Sequence, residues 1–361
     1  MLPYYLLIML PFFCEWVESI LRPNREHMFS VKRSNFPIIV FFVIWFIMLA
    51  LRHSIRCGWD LANYQFYFYH VANLNFFDIF EFYPTEQLYF LFNWLVARAC
   101  PDFRLLMIVI AFLCTSVTGW FYYKKSEFSL LTILLFVTNS CFVLFYSGLR
   151  QSLALLFVVP AYYFTIQKRL FPFILTVILA KYIHNSAIML ALLYPVFHIP
   201  LRSKHFLLIM IAVALFFVFK APLFTYIVPF LSEKYSTGIA SETGAYSVWI
   251  MFLLFLMYSF LVLDDSKMNS ECLGLRNILV LLTLVQGFAP INALAMRMNY
   301  YFILLFPIII PRLMLYPKVG NENIVQFSRW VMVAFFTFYF FYFINSGSAG
   351  LGAYPYVAYW E

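Results

Sequence analysis

Residues 128–149 read FSLLTILLFVTNSCFVLFYSGL and contain no Asp, Glu, Lys or Arg. A helix needs about 20 mostly apolar residues to cross a bilayer, where every backbone polar group must be hydrogen-bonded within the helix. This run is long enough, and further charge-free runs cover residues 105–123, 243–263, 277–296 and 330–360. Length and composition predict an all-α, polytopic membrane protein with roughly eleven to thirteen transmembrane helices.

The composition of the whole chain favours the same fold class. Of its 361 residues, 64% are hydrophobic and 11% are charged, whereas soluble domains carry about 25% charged residues. The sequence shows no internal repeat, low-complexity tract or soluble segment, so we expect residues 1–361 to form one membrane domain. No Lys or Arg precedes the apolar stretch from Met1 to Cys14, which is unlike a signal peptide, and we expect this stretch to remain as a helix.

The basic residues are grouped in short connections between the apolar runs. These connections are Arg22 to Arg33, Lys124-Lys125, Lys168-Arg169, Arg202 to Lys204, Lys267 with Arg276, and Arg312 to Lys318. Such grouping is the positive-inside signal, which assigns the connections to the cytoplasm. The formal net charge of +8 is explained by this topology, and nucleic acid is not expected as a partner.

The cysteines and the known catalytic motifs give no indication of a metal or cofactor. The six cysteines are scattered and form no Cys-x-x-Cys pair, so neither a disulfide framework nor a metal site is indicated. No glycine-rich phosphate loop, Ser-His-Asp order or Asp-x-Asp spacing outside the membrane is present. We therefore expect no cofactor and no metal, and charge stabilisation has to come from arginine side chains.

Three polar residues are expected at the end of the membrane opposite to the basic connections. Arg150 precedes Lys168-Arg169 by 18 residues and His184 follows it by 15, which corresponds to about 27 and about 22 Å of helix. Arg297 lies 21 residues after one basic connection and 15 before the next, or about 31 and about 22 Å. We therefore place Arg150, His184 and Arg297 together at the outer face.

The assignment of every basic connection to the cytoplasm leaves one membrane crossing unaccounted for in the first 125 residues. Arg22 to Arg33 and Lys124-Lys125 can both be cytoplasmic only if an even number of crossings separates them, whereas three are recognisable. The missing element is expected in Asp60 to Phe82, a segment rich in aromatic residues. Such a segment can cross the membrane, re-enter it or lie flat at its surface.

Arg150 and Arg297 are the candidates for binding a phosphate group. Arg150 heads a helix that is free of further charge up to Gln167, Arg297 is the sole charged residue between Arg276 and Arg312, and no carboxylate lies near either in the sequence. A guanidinium fits a phosphate through two parallel hydrogen bonds, each worth about 1.5–3 kcal/mol when charge-assisted. The alternative for Arg150 is an arginine that extends to the lipid headgroups without binding substrate. The isolation of Arg297 in an apolar setting favours function.

His184 and Asp60 are the candidates for proton transfer. Histidine exchanges protons near neutral pH, although a lone histidine at a helix end is more often a hydrogen-bonded structural group. Asp60 in Gly58-Trp59-Asp60 and Glu86 ahead of Leu88 to Val96 can each act as a base or bind a sugar hydroxyl. The alternative for both is a solvated loop carboxylate, the usual place of acidic residues, and this alternative is stronger for Glu86.

Four segments, taken in order, resemble the EpsG family and the related Wzy-type O-antigen and capsule polymerases. They are Gly58-Trp59-Asp60 with Tyr64 and Tyr67 downstream, Gly148-Leu149-Arg150-Gln151-Ser152-Leu153-Ala154, Ala180-Lys181-Tyr182-Ile183-His184-Asn185-Ser186-Ala187, and Arg297-Met298-Asn299-Tyr300-Tyr301. The Arg-Gln and His-Asn-Ser segments, 34 residues apart with a basic turn between them, are the most specific part of the resemblance.

The resemblance implies a helical membrane fold related to the lipid-sugar-using, GT-C-like glycosyltransferases. It implies an enzyme of the bacterial inner membrane whose active site faces the periplasm or the cell exterior. Such an enzyme transfers a growing glycan from undecaprenyl pyrophosphate to the next lipid-linked oligosaccharide repeat unit, in O-antigen, capsule or exopolysaccharide synthesis. Membrane lipids and a chain-length regulator protein are the further partners that it suggests.

The resemblance also implies roles for individual residues. Arg150 and Arg297 would stabilise the departing pyrophosphate, and His184 or Asp60 would accept the proton of the acceptor hydroxyl. The residues expected to contact sugar or lipid are Gln151, Asn185, Tyr64 and Tyr300.

Three alternatives stay open at this point. A ligase that moves finished polysaccharide to another lipid would use much the same pyrophosphate site. A transporter of lipid-linked oligosaccharide would typically show inverted repeats and broken helices, neither of which is recognisable in the sequence. A purely structural membrane protein would not need isolated arginines at the outer face, where they are costly.

Overall fold

The computed structural model describes residues 1–21, 35–231, 246–291, 295–348 and 350–361. In chain order the α-helices are α1 (Leu2–Leu21), α2 (Phe36–Leu51), α3 (Leu61–Ala72), α4 (Asp78–Phe82), α5 (Gln87–Ala99), α6 (Phe103–Lys125), α7 (Ser129–Val137), α8 (Ser140–Ser147) and α9 (Leu149–Leu155). They continue with α10 (Val158–Ile166), α11 (Leu170–Ile183), α12 (Leu193–Phe197), α13 (Phe206–Val218), α14 (Lys220–Leu231), α15 (Tyr246–Leu261), α16 (Ser270–Gln286), α17 (Ala295–Ile303), α18 (Phe306–Leu313) and α19 (Glu322–Asn345). Short 3-10 helices cover Asn185–Leu192, Ser203–His205 and Gly350–Gly352.

The fold is all-α, as the sequence predicts. The described residues contain no β-strand, and their extended pairings are two isolated β-bridges, Arg52 with Ala358 and Leu263 with Pro317. α1, α6, α19 and the stretch Leu149–Ile166 are each long and apolar enough to cross a membrane. The protein is therefore a polytopic helical membrane protein.

Fewer described helices reach full membrane length than the roughly eleven to thirteen expected from segment length. Four qualify, or up to six if two bent pairs each count as one span, and four shorter apolar helices have 10–17 residues. The difference arises because charge-free runs of sequence are divided between elements. Residues 128–149 form α7 and α8, which are bent by 60°, and residues 330–360 leave the helix after Asn345.

The bend between α7 and α8 has a local cause at Asn139. Its side-chain oxygen accepts hydrogen bonds from the backbone N–H groups of Cys141 at 2.9 Å and Phe142 at 3.3 Å. This N-cap satisfies donors that the start of a helix would otherwise leave without a partner. A second bent pair, Ser203–Val218 with Lys220–Tyr226, turns by 72°. The protein thus contains broken helices, contrary to the reading of the sequence.

Contacts between Cα atoms group the chain into two compact units. Unit 1 comprises Met1–Val159, Ile178–His184 and Arg329–Glu361, and unit 2 comprises Pro160–Val177 and Asn185–Ser328. Both units are built from α-helices. The single membrane domain expected over the whole chain stays a prediction.

In unit 1, the ends of α2 and α6 that border two basic connections lie together. The side-chain N–H of Asn35, just before α2, donates to the carbonyl of Tyr123, near the end of α6, at 2.6 Å. The side-chain oxygen of Asn35 accepts a hydrogen bond from the Ser129 hydroxyl at 3.0 Å. Arg22 to Arg33 lies outside the described residues, but its neighbour Asn35 is therefore on the same side of unit 1 as Lys124-Lys125.

The opposite ends of α2 and α6 both contact the C-terminal segment. The backbone N–H of His53, just after α2, donates to the Val357 carbonyl at 2.8 Å. The guanidinium carbon of Arg104, at the start of α6, lies 3.2 Å from the centre of the Tyr359 ring. The segment between α2 and α6, which forms α3, α4 and α5, therefore starts and finishes at one end of this helix pair. The segment from α3 to α5, which includes Asp60 to Phe82, consequently adds no net crossing, so an even number of crossings separates the two basic connections.

A cluster of aromatic rings joins α2 to α8. Trp45 is fully buried, stacked on Phe142 and edge-on to Phe145, with ring centroids 5.7 and 5.1 Å apart. Aromatic pairs of this kind stabilise by about 0.5–1.5 kcal/mol beyond the area that they bury. Arg52, at the end of α2, also donates to the Phe145 carbonyl at 3.3 Å. These contacts fix the position of α8 and of the turn that follows it.

In unit 2, basic connections assigned to the cytoplasm lie at one end. Arg202 donates to the Asp265 carbonyl at 2.8 Å, and the Ser203 backbone N–H donates to the Asp265 carboxylate at 2.7 Å. The β-bridge between Leu263 and Pro317 brings the last basic connection to the same end. Their grouping agrees with the assignment of these connections to one side of the membrane.

Arg276 is not a loop residue, although the sequence pattern grouped it with Lys267 in a basic connection. It lies within α16, fully buried, and its guanidinium donates to the Leu201 carbonyl and the Asp265 carboxylate, both at 3.3 Å. Burial raises the pKa of Asp265, but hydrogen bonds from Ser203 and Arg276 outweigh this effect and lower the pKa below its ordinary value. The side chain reaches the loops because helical side chains point toward the N-terminus of their helix.

Cysteine accessibility tests which end of the protein faces outward. In a Cys100→Ser background, which removes an exposed native cysteine, Thr85→Cys should react with an impermeant thiol reagent added to cells. Lys124→Cys and Lys168→Cys, at positions that are also exposed, should react only after the membrane is permeabilised. Labelling of the two lysine positions from outside, with Thr85→Cys protected, would show that the protein is inverted.

Candidate active site

A carboxylate, a guanidinium and an imidazole meet at one end of unit 1. Glu86 accepts a hydrogen bond from Arg150 Nη1 at 2.5 Å through Oε2, and its Oε1 lies 2.6 Å from Nδ1 of His184. The three residues come from separate parts of the chain: Glu86 precedes α5, Arg150 is the second residue of α9, and His184 follows α11. Arg150 and His184, both expected at the outer face, therefore share one partner.

The break between α8 and α9 presents Arg150. Gly148 ends α8, and a Cβ at this position would lie 2.7 Å from Leu144 Cδ1, so a larger residue would crowd the turn. The Arg150 side chain is 30% exposed, and its guanidinium carbon lies 5.4 Å from the ring centre of Tyr64 and 5.9 Å from that of Tyr89. A cation near aromatic faces gains about 0.5–1 kcal/mol at exposed sites. The guanidinium is thus held in place while part of it stays accessible.

Glu86 combines two unfavourable features. Its side chain is 7% exposed, and burying a carboxylate costs several kcal/mol unless charged partners compensate, as Arg150 does here. Its backbone φ is 57°, a left-handed conformation that costs on the order of 1–3 kcal/mol in a residue other than glycine. Strained and buried polar residues of this kind cluster at functional sites.

The contact with Glu86 determines which ring nitrogen of His184 can take up a proton. The Arg150 guanidinium favours the ionised form of the Glu86 carboxylate. An ionised carboxylate only accepts hydrogen bonds, which assigns the hydrogen to Nδ1 as the donor to Oε1. Nε2 is then the basic nitrogen, and it is buried without a hydrogen-bond partner among the described residues. A neutral imidazole oriented in this way has the arrangement of a general base.

Asp60 lies beside the same helix break. Its backbone N–H donates to the Ser147 hydroxyl at 3.1 Å, and that hydroxyl donates to the Asp60 carboxylate at 3.4 Å. The close approach of the two segments depends on Gly58, whose φ is +138° and where a Cβ would lie 2.2 Å from the Tyr146 carbonyl oxygen. The turn around Gly58 therefore holds Asp60 against Ser147, which lies three residues before Arg150 in the sequence.

A C-terminal segment braces this turn from its other side. The Trp59 backbone N–H donates to the Leu351 carbonyl at 3.0 Å. Gly350, Leu351 and Gly352 all have left-handed φ values, of 48°, 58° and 82°. A Cβ at Gly352 would lie 2.9 Å from the Trp59 backbone nitrogen, so the two main chains are in direct contact.

The remaining residues predicted to contact substrate are divided between the two units. Gln151 and Tyr64 belong to unit 1, and both are buried. Gln151 directly follows Arg150 in the sequence, and the Tyr64 ring lies near the Arg150 guanidinium. The others, Asn185, Tyr300 and Arg297, belong to unit 2. The predicted action of the two arginines on one pyrophosphate stays a prediction.

Within unit 2, buried polar contacts position the helix that carries Arg297. The Asn299 side-chain N–H donates to the Gln286 side-chain oxygen at 2.9 Å, which joins α17 to α16. The hydroxyls of Ser186 and Tyr301 are 3.0 Å apart, which joins α17 to the 3-10 helix that starts at Asn185. Arg297 is therefore carried by a firmly attached helix.

Sequence reasoning did not predict that Glu86 contacts both Arg150 and His184. No carboxylate stands near Arg150 in the sequence, yet its partner is Glu86, 64 residues earlier. The signal was Arg150 itself, because a guanidinium at the end of an apolar helix favours a nearby counter-charge. The residues around Glu86 do not distinguish it from an exposed loop carboxylate.

The chemistry that this cluster offers is anion binding and proton transfer. A guanidinium binds phosphate oxygens, and an oriented imidazole accepts a proton. Among the described residues, no group of three or more His, Cys, Asp or Glu side chains is placed to hold a metal ion. A reaction without metal or cofactor stays a prediction.

The fold and this cluster define a polytopic helical membrane protein with a polar, partly accessible site at one end of its helices. Residues 35–358 match the EpsG family, and the chain belongs to this family. The EpsG family is the Wzy-like polymerase family, and membership in it points to a glycosyltransferase-like polysaccharide polymerase. No curated protein and no solved structure matches the chain. The matched range includes all four segments in which the resemblance was recognised.

Proposed function

We propose that this protein transfers a growing glycan from undecaprenyl pyrophosphate to the next lipid-linked oligosaccharide repeat unit. Its product would be an O-antigen, a capsule or an exopolysaccharide. The observation that carries the proposal is the meeting of Arg150 and His184 at Glu86, which combines an anion-binding group with an oriented base. Both groups are required when a sugar hydroxyl displaces a pyrophosphate.

The proposed reaction uses these groups as follows. The hydroxyl oxygen of the acceptor sugar attacks C1 of the donor sugar, and its proton passes to Nε2 of His184. The bond between C1 and the pyrophosphate oxygen breaks, so that undecaprenyl pyrophosphate leaves with an added negative charge. Arg150 stabilises that charge, and Arg297 is proposed to do the same. Asp60 is the second candidate for the base if His184 proves to be structural.

The position of the cluster in unit 1 supports a site that faces the periplasm or cell exterior. Lys124-Lys125 lies at the end of α6, and positive charge marks the cytoplasmic side. The turn containing Asp60 contacts the C-terminal segment, which lies at the opposite end of α6 near Arg104. α6 has 23 residues, or about 34 Å at 1.5 Å per residue, enough to span the hydrocarbon core.

Deletion of this chain tests the proposal. Cells lacking it should place single repeat units on the final lipid acceptor, because the ligase that follows would still act on unpolymerised units. The measurement is the length distribution of the surface polysaccharide by gel electrophoresis. Complementation with the intact chain is the control. Long polymer that persists in the deletion strain would contradict the polymerase assignment.

Two other functions predict different results in the same experiment. Loss of a ligase would leave long chains on the carrier lipid. Loss of a transporter would leave single lipid-linked units on the cytoplasmic side, and the two bent helix pairs are a feature that transporters share. The buried pairing of an imidazole with a carboxylate favours the transferase, since substrate movement alone requires no base. A chain-length regulator protein is proposed as a partner of the polymerase.

A further inference from the structure

We propose that Glu86 is a positioning residue that sets the tautomer of His184 and holds the Arg150 guanidinium until the donor arrives. This inference rests on the proposed function, in which His184 is the base and Arg150 binds pyrophosphate. It assigns a role to a residue that the expected reaction does not itself require. Three observations carry it: the burial of Glu86, its shared contacts, and the Nε2 of His184, which is buried without a hydrogen-bond partner among the described residues.

The first step concerns the two oxygens of the carboxylate. Oε1 faces His184 Nδ1 at 2.6 Å and Oε2 faces Arg150 Nη1 at 2.5 Å, so each oxygen has its own partner. A single carboxylate thereby fixes the distance between the imidazole that follows α11 and the guanidinium on α9. Because Glu86 is buried, water competes poorly for either oxygen.

The second step concerns the tautomer. Neutral imidazole can carry its hydrogen on either nitrogen, and the contact at Nδ1 decides which one. The Glu86 carboxylate can only accept, so it requires the hydrogen on Nδ1 and leaves the Nε2 lone pair available. A glutamine at position 86 could instead donate from its side-chain NH₂ group to Nδ1. This contact favours the tautomer in which Nε2 carries the hydrogen and has no free lone pair. Glu86→Gln therefore keeps nearly the same side-chain shape but can favour the opposite tautomer of His184.

The third step concerns the donor. The Arg150 side chain is 30% exposed, so a pyrophosphate can reach it from the open side. A phosphate that accepts two hydrogen bonds from one edge of the Arg150 guanidinium has to compete with the Glu86 carboxylate, which already accepts from Nη1. Glu86 then weakens donor binding while it organises the base. Its removal should lower kcat without raising the KM of the donor.

The steady-state test uses purified protein in proteoliposomes. The substrate is polyprenyl-pyrophosphate-linked repeat units extracted from cells that lack this chain. Glu86→Gln should lower kcat by roughly 100-fold, within the range for a misplaced base, with a donor KM equal to or below that of the native protein. Glu81→Gln, an exposed carboxylate five residues earlier on α4, is the matched control and should change neither constant.

A double-mutant cycle shows whether Glu86 acts through His184. His184→Gln should lower kcat, and Glu86→Gln should add little to it, because residues that act as a unit have non-additive effects. Multiplied losses would overturn the inference, since Glu86 would then stabilise the fold independently of the base. A fully active Glu86→Gln beside an impaired His184→Gln would also overturn it, while leaving the proposed function intact. Full activity of His184→Gln would instead contradict the base assignment in the proposed function.

A spectroscopic test requires no activity at all. Nitrogen NMR of protein labelled with ¹⁵N-histidine distinguishes the two neutral tautomers, and His184→Gln identifies the signal of His184 among six histidines. The native protein should show the hydrogen on Nδ1, and Glu86→Gln should shift it at least partly to Nε2. An unchanged signal in Glu86→Gln would overturn the inference even if that variant is poorly active.

Discussion

Arg150→Ala should abolish polymer in complemented cells and leave single repeat units. The substitution removes a donor to the departing pyrophosphate, and loss of one such group typically lowers the rate by about 10²–10³-fold. It also takes away the guanidinium partner of the buried Glu86 carboxylate. Breaking a buried ion pair costs about 3–5 kcal/mol, so part of the protein should be lost from the membrane. Polymer length and membrane abundance are therefore both measured.

Two further variants separate chemistry from folding. Glu86→Gln combined with Arg150→Ala removes both charges of the pair, so it should accumulate better than Arg150→Ala and still make no polymer. Arg150→Lys keeps the charge without the planar fork and should restore only part of the activity. Polymer of normal length from Arg150→Ala would mean that the site is placed wrongly.

Arg297→Ala provides the test of a shared pyrophosphate. If both guanidiniums bind the same group, this variant should also lose polymer, and the double variant with Arg150→Ala should be little worse than the worse single one. The contacts of Asn299 and Tyr301 that fix α17 are untouched by the substitution. Independent, multiplied losses would indicate two separate roles for the arginines.

Gly58→Ala should remove most of the folded protein from the membrane. Its Cβ would lie 2.2 Å from the Tyr146 carbonyl oxygen and 2.9 Å from a Leu61 side-chain carbon, at a φ of +138°. The backbone oxygen cannot move aside without opening the turn that joins Asp60 to Ser147. We expect destabilisation by more than about 4 kcal/mol, which is exceptional for one substitution. Membrane abundance and thermal unfolding in detergent measure it.

Gly320→Ala is the matched control for this effect. Gly320 also has a left-handed φ, +85°, but nothing lies within 4 Å of the Cβ that it would gain. Only the conformational strain is added, on the order of 1–2 kcal/mol. Equal losses from both substitutions would show that backbone strain, and not the close approach to Tyr146, makes Gly58 necessary.

Helix arithmetic could predict that Arg150 and His184 lie at one face, because both are counted from the same basic turn. The shared contact at Glu86 shows that they are also neighbours. Glu86 itself could not be predicted, since its role depends on a left-handed backbone and on two partners far away in the sequence. Local patterns carry neither kind of information.

The topology of the segment between α2 and α6 could not be predicted from the sequence for a related reason. A run of aromatic residues in short helices has the same composition whether it crosses the membrane or covers one end of other helices. The contacts of Asn35 with Tyr123, of His53 with Val357 and of Arg104 with Tyr359 decide between these possibilities. Arg276 was misplaced because a long side chain can reach a loop from within a helix.

The contact between Trp59 and Leu351 has a consequence for biogenesis. A ribosome makes Leu351 long after Trp59, so the turn at Gly58 obtains this contact only after the helices between the two residues have been made. Until then the segment from Gly58 to Asp60 lacks one of the contacts that position it. A nonsense mutation between α19 and Leu351 should then yield a polypeptide in which the turn at Gly58 lacks this contact and Asp60 is held less firmly.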